Sequence, residues 1–193
     1  MNVSRETEVL EQYAALIRKW NPAINLVAPS TLEQVKSRHI DDCLQLVDVS
    51  RSSSGDWVDI GSGGGLPGIV VAICRPDMRV HLVESDRRKC SFLRNAGREL
   101  KLTNLNVSTE RIESINPLKA DHISARALAP LPLLLSYVDR HLVSGGRAWL
   151  MKGRNWRTEV EAARETWRFD VTSHPSVTDS EAAILEISEL RHA

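Results

Sequence analysis

WVDIGSGGGLPGIVVAICRPDMRVHLVE, residues 57–84, is the stretch that decides the fold. Trp57 to Ile60 form a short apolar run, Gly61 to Gly68 a glycine-rich turn, and Ile69 to Cys74 an apolar helix. Arg79 to Val83 give a second strand, closed by Glu84. Strand, glycine turn, helix and strand make one βαβ unit, whose turn is built to approach a phosphate or nucleoside. The glycines allow positive φ and let a ligand touch the backbone. Pro67 suits the first helical turn, where its missing N–H costs nothing. A ligand is therefore expected above this turn, at the carboxyl ends of the strands.

The same alternation continues outward. Strands are predicted at 56–60, 79–84, 104–109, 121–125 and 145–151, and helices at 66–75, 86–101, 131–142 and 155–166. Such an order gives a mostly parallel sheet with helices on both faces. After residue 168 the pattern changes: Phe169 to Ser173 and Ala183 to Leu190 are two β-like runs with no helix between them. Two adjacent strands joined without a helix pair antiparallel, so the sheet is expected to end in a hairpin. Upstream, Leu10, Tyr13, Ala14, Ile17 and Trp20 share one face of a helix over 4–20 that Asn21-Pro22 ends. A second helix starts at Pro29 to Thr31 and carries Leu32, Val35, His39, Cys43 and Val47 to about residue 48. Residues 1–50 thus read as a helical cap on a Rossmann-like core of residues 56–193, and 1–193 as a single domain.

Composition narrows the function classes. Lys plus Arg and Asp plus Glu both number 25, so no global field draws the chain to nucleic acid or membrane. No apolar run approaches the ~18 residues of a spanning helix, and the start lacks a signal-type segment; a cytoplasmic protein without membrane attachment is expected. Cys43, Cys74 and Cys90 are too scattered for a disulfide framework or a metal pair, so no metal is expected.

Residues 63–68 satisfy G-x-G-x-x-G, and Glu84 lies about 20 residues past the glycines, where an acid accepts hydrogen bonds from ribose hydroxyls. A tight turn that only packs helix on strand would use the same glycines, and an acid before a helix needs no ribose. Together they favour an adenosine ligand with a free 2′-OH. Two such ligands compete. A nicotinamide enzyme needs a group to move a proton with the hydride. Neither Tyr13 nor Tyr137 precedes a lysine in a Y-x-x-x-K pattern, and no second substrate domain is expected. The terminal hairpin favours instead the class I S-adenosylmethionine-dependent methyltransferase fold. Arg126 ends the fourth strand and so falls at the ligand-binding edge of the sheet; a structural ion pair there is the competing, less favoured reading.

Six segments carry a more specific match: WNPAINL at 20–26, RHIDDCL at 38–44, VDIGSGGGLPGI at 58–69, the ES-x-x-RKCSFL segment at 84–93, SARALAP at 124–130 and LMKGR at 150–154. On these the chain resembles the ribosomal RNA small-subunit methyltransferase G family, also called glucose-inhibited division protein B, along most of its length. Cys43 departs from the family pattern, which has serine there. The resemblance implies S-adenosyl-L-methionine as cofactor and N7 of a guanine in 16S ribosomal RNA as target, in the RNA or a small-subunit particle; a monomer is expected, though the sequence does not itself set the oligomeric state. It implies that Gly61, Gly63 and Leu66 border the methionine end, that Glu84 holds the ribose, that Ile112 and Glu113 flank the adenine, and that Arg126 lies in the cleft.

Guanine N7 offers an in-plane lone pair and no proton, so in-line attack on the methyl needs no general base. Catalysis then rests on alignment, and no catalytic side chain is singled out. With zero net charge the RNA surface must be local. Arg38 and His39 of the cap, and Lys152 and Arg154 after the fifth strand, are the candidates for RNA. A second cluster, Arg87, Arg88, Lys89, Arg94, Arg98 and Lys101, shares one helix and reads equally as a solvated face. A methyltransferase acting on a small molecule or protein, or an NAD-dependent oxidoreductase, would share the glycine turn and Glu84.

Overall fold

The computed structural model describes residues 3–193. Its centre is a seven-stranded sheet of order β3-β2-β1-β4-β5-β7-β6. The strands are β1 (Asp56–Ile60), β2 (Arg79–Glu84), β3 (Leu105–Thr109), β4 (Ala120–Arg126), β5 (Leu142–Lys152), β6 (Trp167–Pro175) and β7 (Ala183–His192). The first five are parallel. β7 runs antiparallel between β5 and β6. The expected hairpin is present, with its second strand innermost. Burial explains that order: Ala183, Ile184, Leu185 and Ile187 of β7 need cover on both sides, whereas β6 buries only Trp167 and Phe169 and suits an edge.

Alternation along β1 divides the core. Trp57 faces one side with α1 (Val3–Ile24), α2 (Asp41–Val49), α3 (Gly68–Cys74) and α4 (Arg87–Glu99). Val58 and Ile60 face the other with α5 (Leu131–His141) and α6 (Trp156–Ala163). Helix α4 starts where Asp86 Oδ1 accepts hydrogen bonds from the backbone N–H of Arg88 and Lys89, the usual task of an N-cap aspartate. Leu10, Tyr13, Ala14 and Ile17 of α1 are buried as their spacing predicts, while Trp20 is only half-buried, edge-on to Phe92.

Two expectations for the cap need correction. Helix α1 does not stop at Asn21-Pro22 but runs to Ile24. Pro22 sits in the last turn, where its missing donor costs little, and Asn21 Oδ1 accepts from the N–H of Leu26 and Val27 at 2.7 and 2.8 Å to close the end. The second predicted helix is three pieces: a 3₁₀ turn (Pro29–Gln34), a wide π turn (Val35–Ile40) and α2. The i→i+5 turn takes up an extra residue and rotates the buried stripe to Val35, His39, Ile40, Cys43 and Leu46, leaving Leu32 and Val47 half-buried. Among the described residues no helix is long and apolar enough to cross a membrane, and no group of potential metal ligands occurs.

Candidate active site

A cavity of about 470 Å³ opens at the carboxyl ends of β1, β2 and β4, a size normal for a small-molecule site. The glycine turn forms one wall. Gly61 has φ +65°, and a Cβ there would come within 2.5 Å of Leu128 Cδ1. Gly63 has φ +54°, and a Cβ there would meet only the Gly61 carbonyl oxygen at an ordinary 3.8 Å, so conformation rather than room requires glycine. Glu84 closes the floor. Its Oε2 accepts from Gly63 N–H and its Oε1 from Asp86 N–H, each at 2.8 Å. The carboxylate is thus fixed by backbone on both sides and retains lone pairs for a ligand. The cap braces the same turn: the Tyr13 hydroxyl donates to the Gly64 carbonyl at 2.6 Å.

Gly61, Gly63, Glu84, Ile112, Glu113 and Arg126 all line this cavity. Leu66 does not; it is buried in the core facing the cap helices. Ile112 and Glu113 lie in the turn after β3. The Ile112 carbonyl pairs with His141 Nε2 at 3.1 Å, and Glu113 Oε1 accepts from the Tyr137 hydroxyl at 3.3 Å. Leu128 and Leu133, two of the exposed large apolar side chains among the described residues, line the same cavity. Lys89 also reaches its wall.

Beneath the turn lies a buried chain: Trp57 Nε1–H donates to Ser124 Oγ at 2.9 Å, and the Ser124 hydroxyl donates to Asp59 Oδ1 at 2.6 Å. Burial pushes the Asp59 carboxyl up to about 6, against the pull of its hydrogen bond from Ser124.

Arg126 separates the first cavity from a second, of about 360 Å³, which it also lines with Ala127. Its Nη2 donates to His39 Nδ1. Burial, then the charges of Arg126 and Arg38, push His39 down to about 4, so the ring is neutral at physiological pH. With Nδ1 accepting, the proton resides on Nε2 and is donated to Thr31 Oγ1 at 2.8 Å. The Thr31 hydroxyl donates in turn to the Ala28 carbonyl at 3.0 Å. Arg126 Nη1 is buried without a hydrogen-bond partner.

Arg38, His39 and Lys152 line the second cavity, and Arg154 does not. Lys152 is only 9% exposed; its ammonium lies 2.6 Å from Glu159 Oε2 and donates to the Ala129 carbonyl at 2.9 Å. Glu159 Oε2 also accepts from Leu131 N–H, at the first residue of α5. Arg154 is exposed, 3.8 Å from Glu181. Asp42, not singled out from the sequence, lines the second cavity, and so does the turn between β6 and β7. Its spacing four residues after Arg38 was the available signal, because that spacing puts both on one helical face. Tyr13 carried no such signal, since its position reads simply as core.

A family model described as rRNA small subunit methyltransferase G matches residues 6–187. The chain is 61% identical over 193 residues to the ribosomal RNA small subunit methyltransferase G of Paracoccus denitrificans (strain Pd 1222), covering 100% of both chains. It is 49% identical over 197 residues to that of Cereibacter sphaeroides (strain ATCC 17025), covering 100% of this chain and 94% of the relative. Among solved structures, a variant of the protein MtNAS in complex with S-adenosylmethionine superposes with TM-score 0.64 at 20% identity, over 95% of this chain and 75% of that one. A ribosomal protein L11 methylase from Lactobacillus delbrueckii subsp. bulgaricus gives 0.62 at 16% identity, over 76% and 75%. These two likenesses concern the fold.

Proposed function

The chain belongs to the rRNA small subunit methyltransferase G family, and from that premise we propose that it methylates N7 of one guanine in 16S ribosomal RNA. It is an S-adenosylmethionine-dependent rRNA methyltransferase, and the whole chain acts as one domain, in the cytoplasm where its substrate is assembled, as a monomer.

The observation that carries the cofactor reading is the Glu84 carboxylate, held by two backbone N–H groups on the floor of a cavity walled by positive-φ glycines. An anion fixed in this way accepts from the vicinal hydroxyls of a ribose without reorganising. Ile112, with Leu128 and Leu133, provides apolar surface for an adenine, and Glu113 an acceptor at its polar edge. Gly61 and Gly63 present backbone to the methionine end. Leu66 contributes from the core, by holding the turn. When bound, the cofactor supplies an electrophilic methyl on a sulfonium.

The remaining work is alignment. Neutral His39 has both ring nitrogens engaged, and Asp59 is buried beneath the turn and lines neither cavity, so neither is placed to take a proton from a bound base. That suits attack by a lone pair on an atom without one. Arg126, held by His39 at the junction of the two cavities, orients cofactor and base together; its tether keeps the cation from closing on the N7 that becomes positive. Arg38 and Arg154 are the phosphate contacts of this reading, in a chain of zero net charge. Lys152, neutralised by Glu159, braces α5.

The test is label transfer from tritiated S-adenosylmethionine to small subunits, and to naked 16S RNA, from cells lacking the gene. Borohydride and aniline cleavage follows. One cleavage site is expected; label without cleavage would move the methyl to another atom, and no label on either substrate would overturn the reading.

A further inference from the structure

The second cavity meets the first only at Arg126 and Ala127. Asp42 lines the second cavity and not the first, so its carboxylate lies away from the cofactor. The carboxylate is held in place. Its Oδ1 accepts from the hydroxyls of Ser176 and Thr178 at 2.9 and 3.3 Å. Gln45, in the same helix, grips the same turn twice, donating to the Pro175 carbonyl at 2.6 Å and accepting from Val177 N–H at 3.0 Å. Asp42 Oδ2 accepts no hydrogen bond from the described residues, and no ion pair joins Asp42 to the cations that share its cavity, Arg38, Arg126 and Lys152, the last of which is paired with Glu159. The cavity's other carboxylates fit less well. Glu159 is occupied by Lys152 and Leu131 N–H, and Asp179 is exposed with Oδ1 taken by Glu181 N–H.

A half-buried, prealigned carboxylate with a free oxygen asks for a donor-rich partner. We infer that Asp42 is the specificity-determining residue of the base pocket, accepting hydrogen bonds from N1–H and N2–H of the target guanine. This rests on the guanine-N7 reading above. A purine that turns N7 to the cofactor points its N2 group to the opposite end of the pocket. Guanine presents N1–H and N2–H₂ donors there. Adenine presents an N1 lone pair, which the carboxylate repels, and a site built to pair polar groups rejects a ligand that leaves them unpaired.

The experiment is label transfer to small subunits from cells lacking the gene, with wild type, Asp42→Asn and Asp42→Ala, alongside S-adenosylmethionine affinity by equilibrium dialysis. Asp42→Asn keeps the side-chain shape and removes the charge, so that a neutral amide replaces the charged acceptor facing the guanine donors. Loss of kcat/KM by about 10- to 100-fold is expected for both variants, with cofactor affinity and Tm close to wild type. The second arm uses reconstituted subunits whose target guanosine is replaced by inosine, which lacks the N2 amino group. Inosine should slow wild type and cost Asp42→Ala nothing further. Wild-type rates in both variants, or inosine penalties that simply multiply, would overturn the role of Asp42. Wild-type protein that binds cofactor yet labels neither subunits nor RNA would overturn the underlying rRNA reading instead.

Discussion

Arg126, at the end of β4, donates a hydrogen bond to Nδ1 of His39, 87 residues earlier in the π turn of the cap. This single contact joins the helical cap to the sheet edge at the wall between the two cavities. Burial first, and this guanidinium second, keep the histidine neutral, and a ring nitrogen facing a guanidinium remains an acceptor.

His39 sits at about 4 in the folded protein against an ordinary 6.5. As pH falls, the unfolded chain takes the proton first, so His39 costs stability from about pH 6.5 downward, and the loss is complete near pH 4. Asp59 acts in the opposite sense. Its carboxyl is raised from 3.8 to about 6, so its contribution is fully present below 3.8 and lost as pH rises through 6. His39→Asn separates the two, since its Oδ1 can still accept from Arg126 and does not titrate. Wild type should be the more stable at pH 7.5 and lose that lead as the pH is lowered toward 4.5. Thermal unfolding across this range measures it; parallel profiles would remove His39 as the titrating group.

Glu84→Gln keeps the shape of the side chain but turns an amide donor toward either Gly63 N–H or Asp86 N–H. The cofactor Kd should rise by about 10- to 100-fold, as for loss of hydrogen bonds to a charged group. Equilibrium dialysis reads this directly, and unaltered affinity would take Glu84 out of the cofactor site.

Lys152 and Arg154 are two residues apart and should behave differently. Arg154→Ala should lower the salt dependence of RNA affinity by about one counterion and leave Tm unchanged. Lys152→Ala strands Glu159 beside α5 and should cost roughly 1–3 kcal/mol of stability, less than a fully buried pair, with the salt slope preserved. Filter binding over a salt series and chemical denaturation check the pair; the reverse pattern would make Lys152 the phosphate contact.

Cys43 is fully buried, and burial pushes its thiol up to about 12, with the charge of Arg126 the largest opposing influence. Arg126 Nη1 has no hydrogen-bond partner. In Cys43→Ser a better acceptor replaces the sulfur, and a hydrogen bond to a charged group is worth about 1.5–3 kcal/mol before the cost of burying the hydroxyl. Turnover at or above wild type, with Tm within a few degrees, is expected. A marked fall in turnover with normal Tm would show that the thiol itself is required at this position.

Much of the architecture was legible in the sequence because it is written in local periodicity. The β1–turn–α3–β2 unit, the alternation of strands and helices, and the closing hairpin all follow from apolar spacing and from glycine and proline at particular positions. So did Glu84, whose distance from the glycines is fixed by one βαβ unit. The cap was less legible: a proline in a last helical turn and a π turn are settled by packing on the sheet, not by propensity. What only the tertiary structure decided are relationships over long separations. Sequence reading put Lys152 on the ligand edge, and the fold then spent its charge on Glu159. His39 became a tether for Arg126, Leu66 went to the core, and Asp42 was aimed by Ser176 and Thr178 from the far end of the chain. Local pattern specifies which face a residue occupies; the partner that uses up its charge or hydrogen bonds is fixed only when distant segments close on one another.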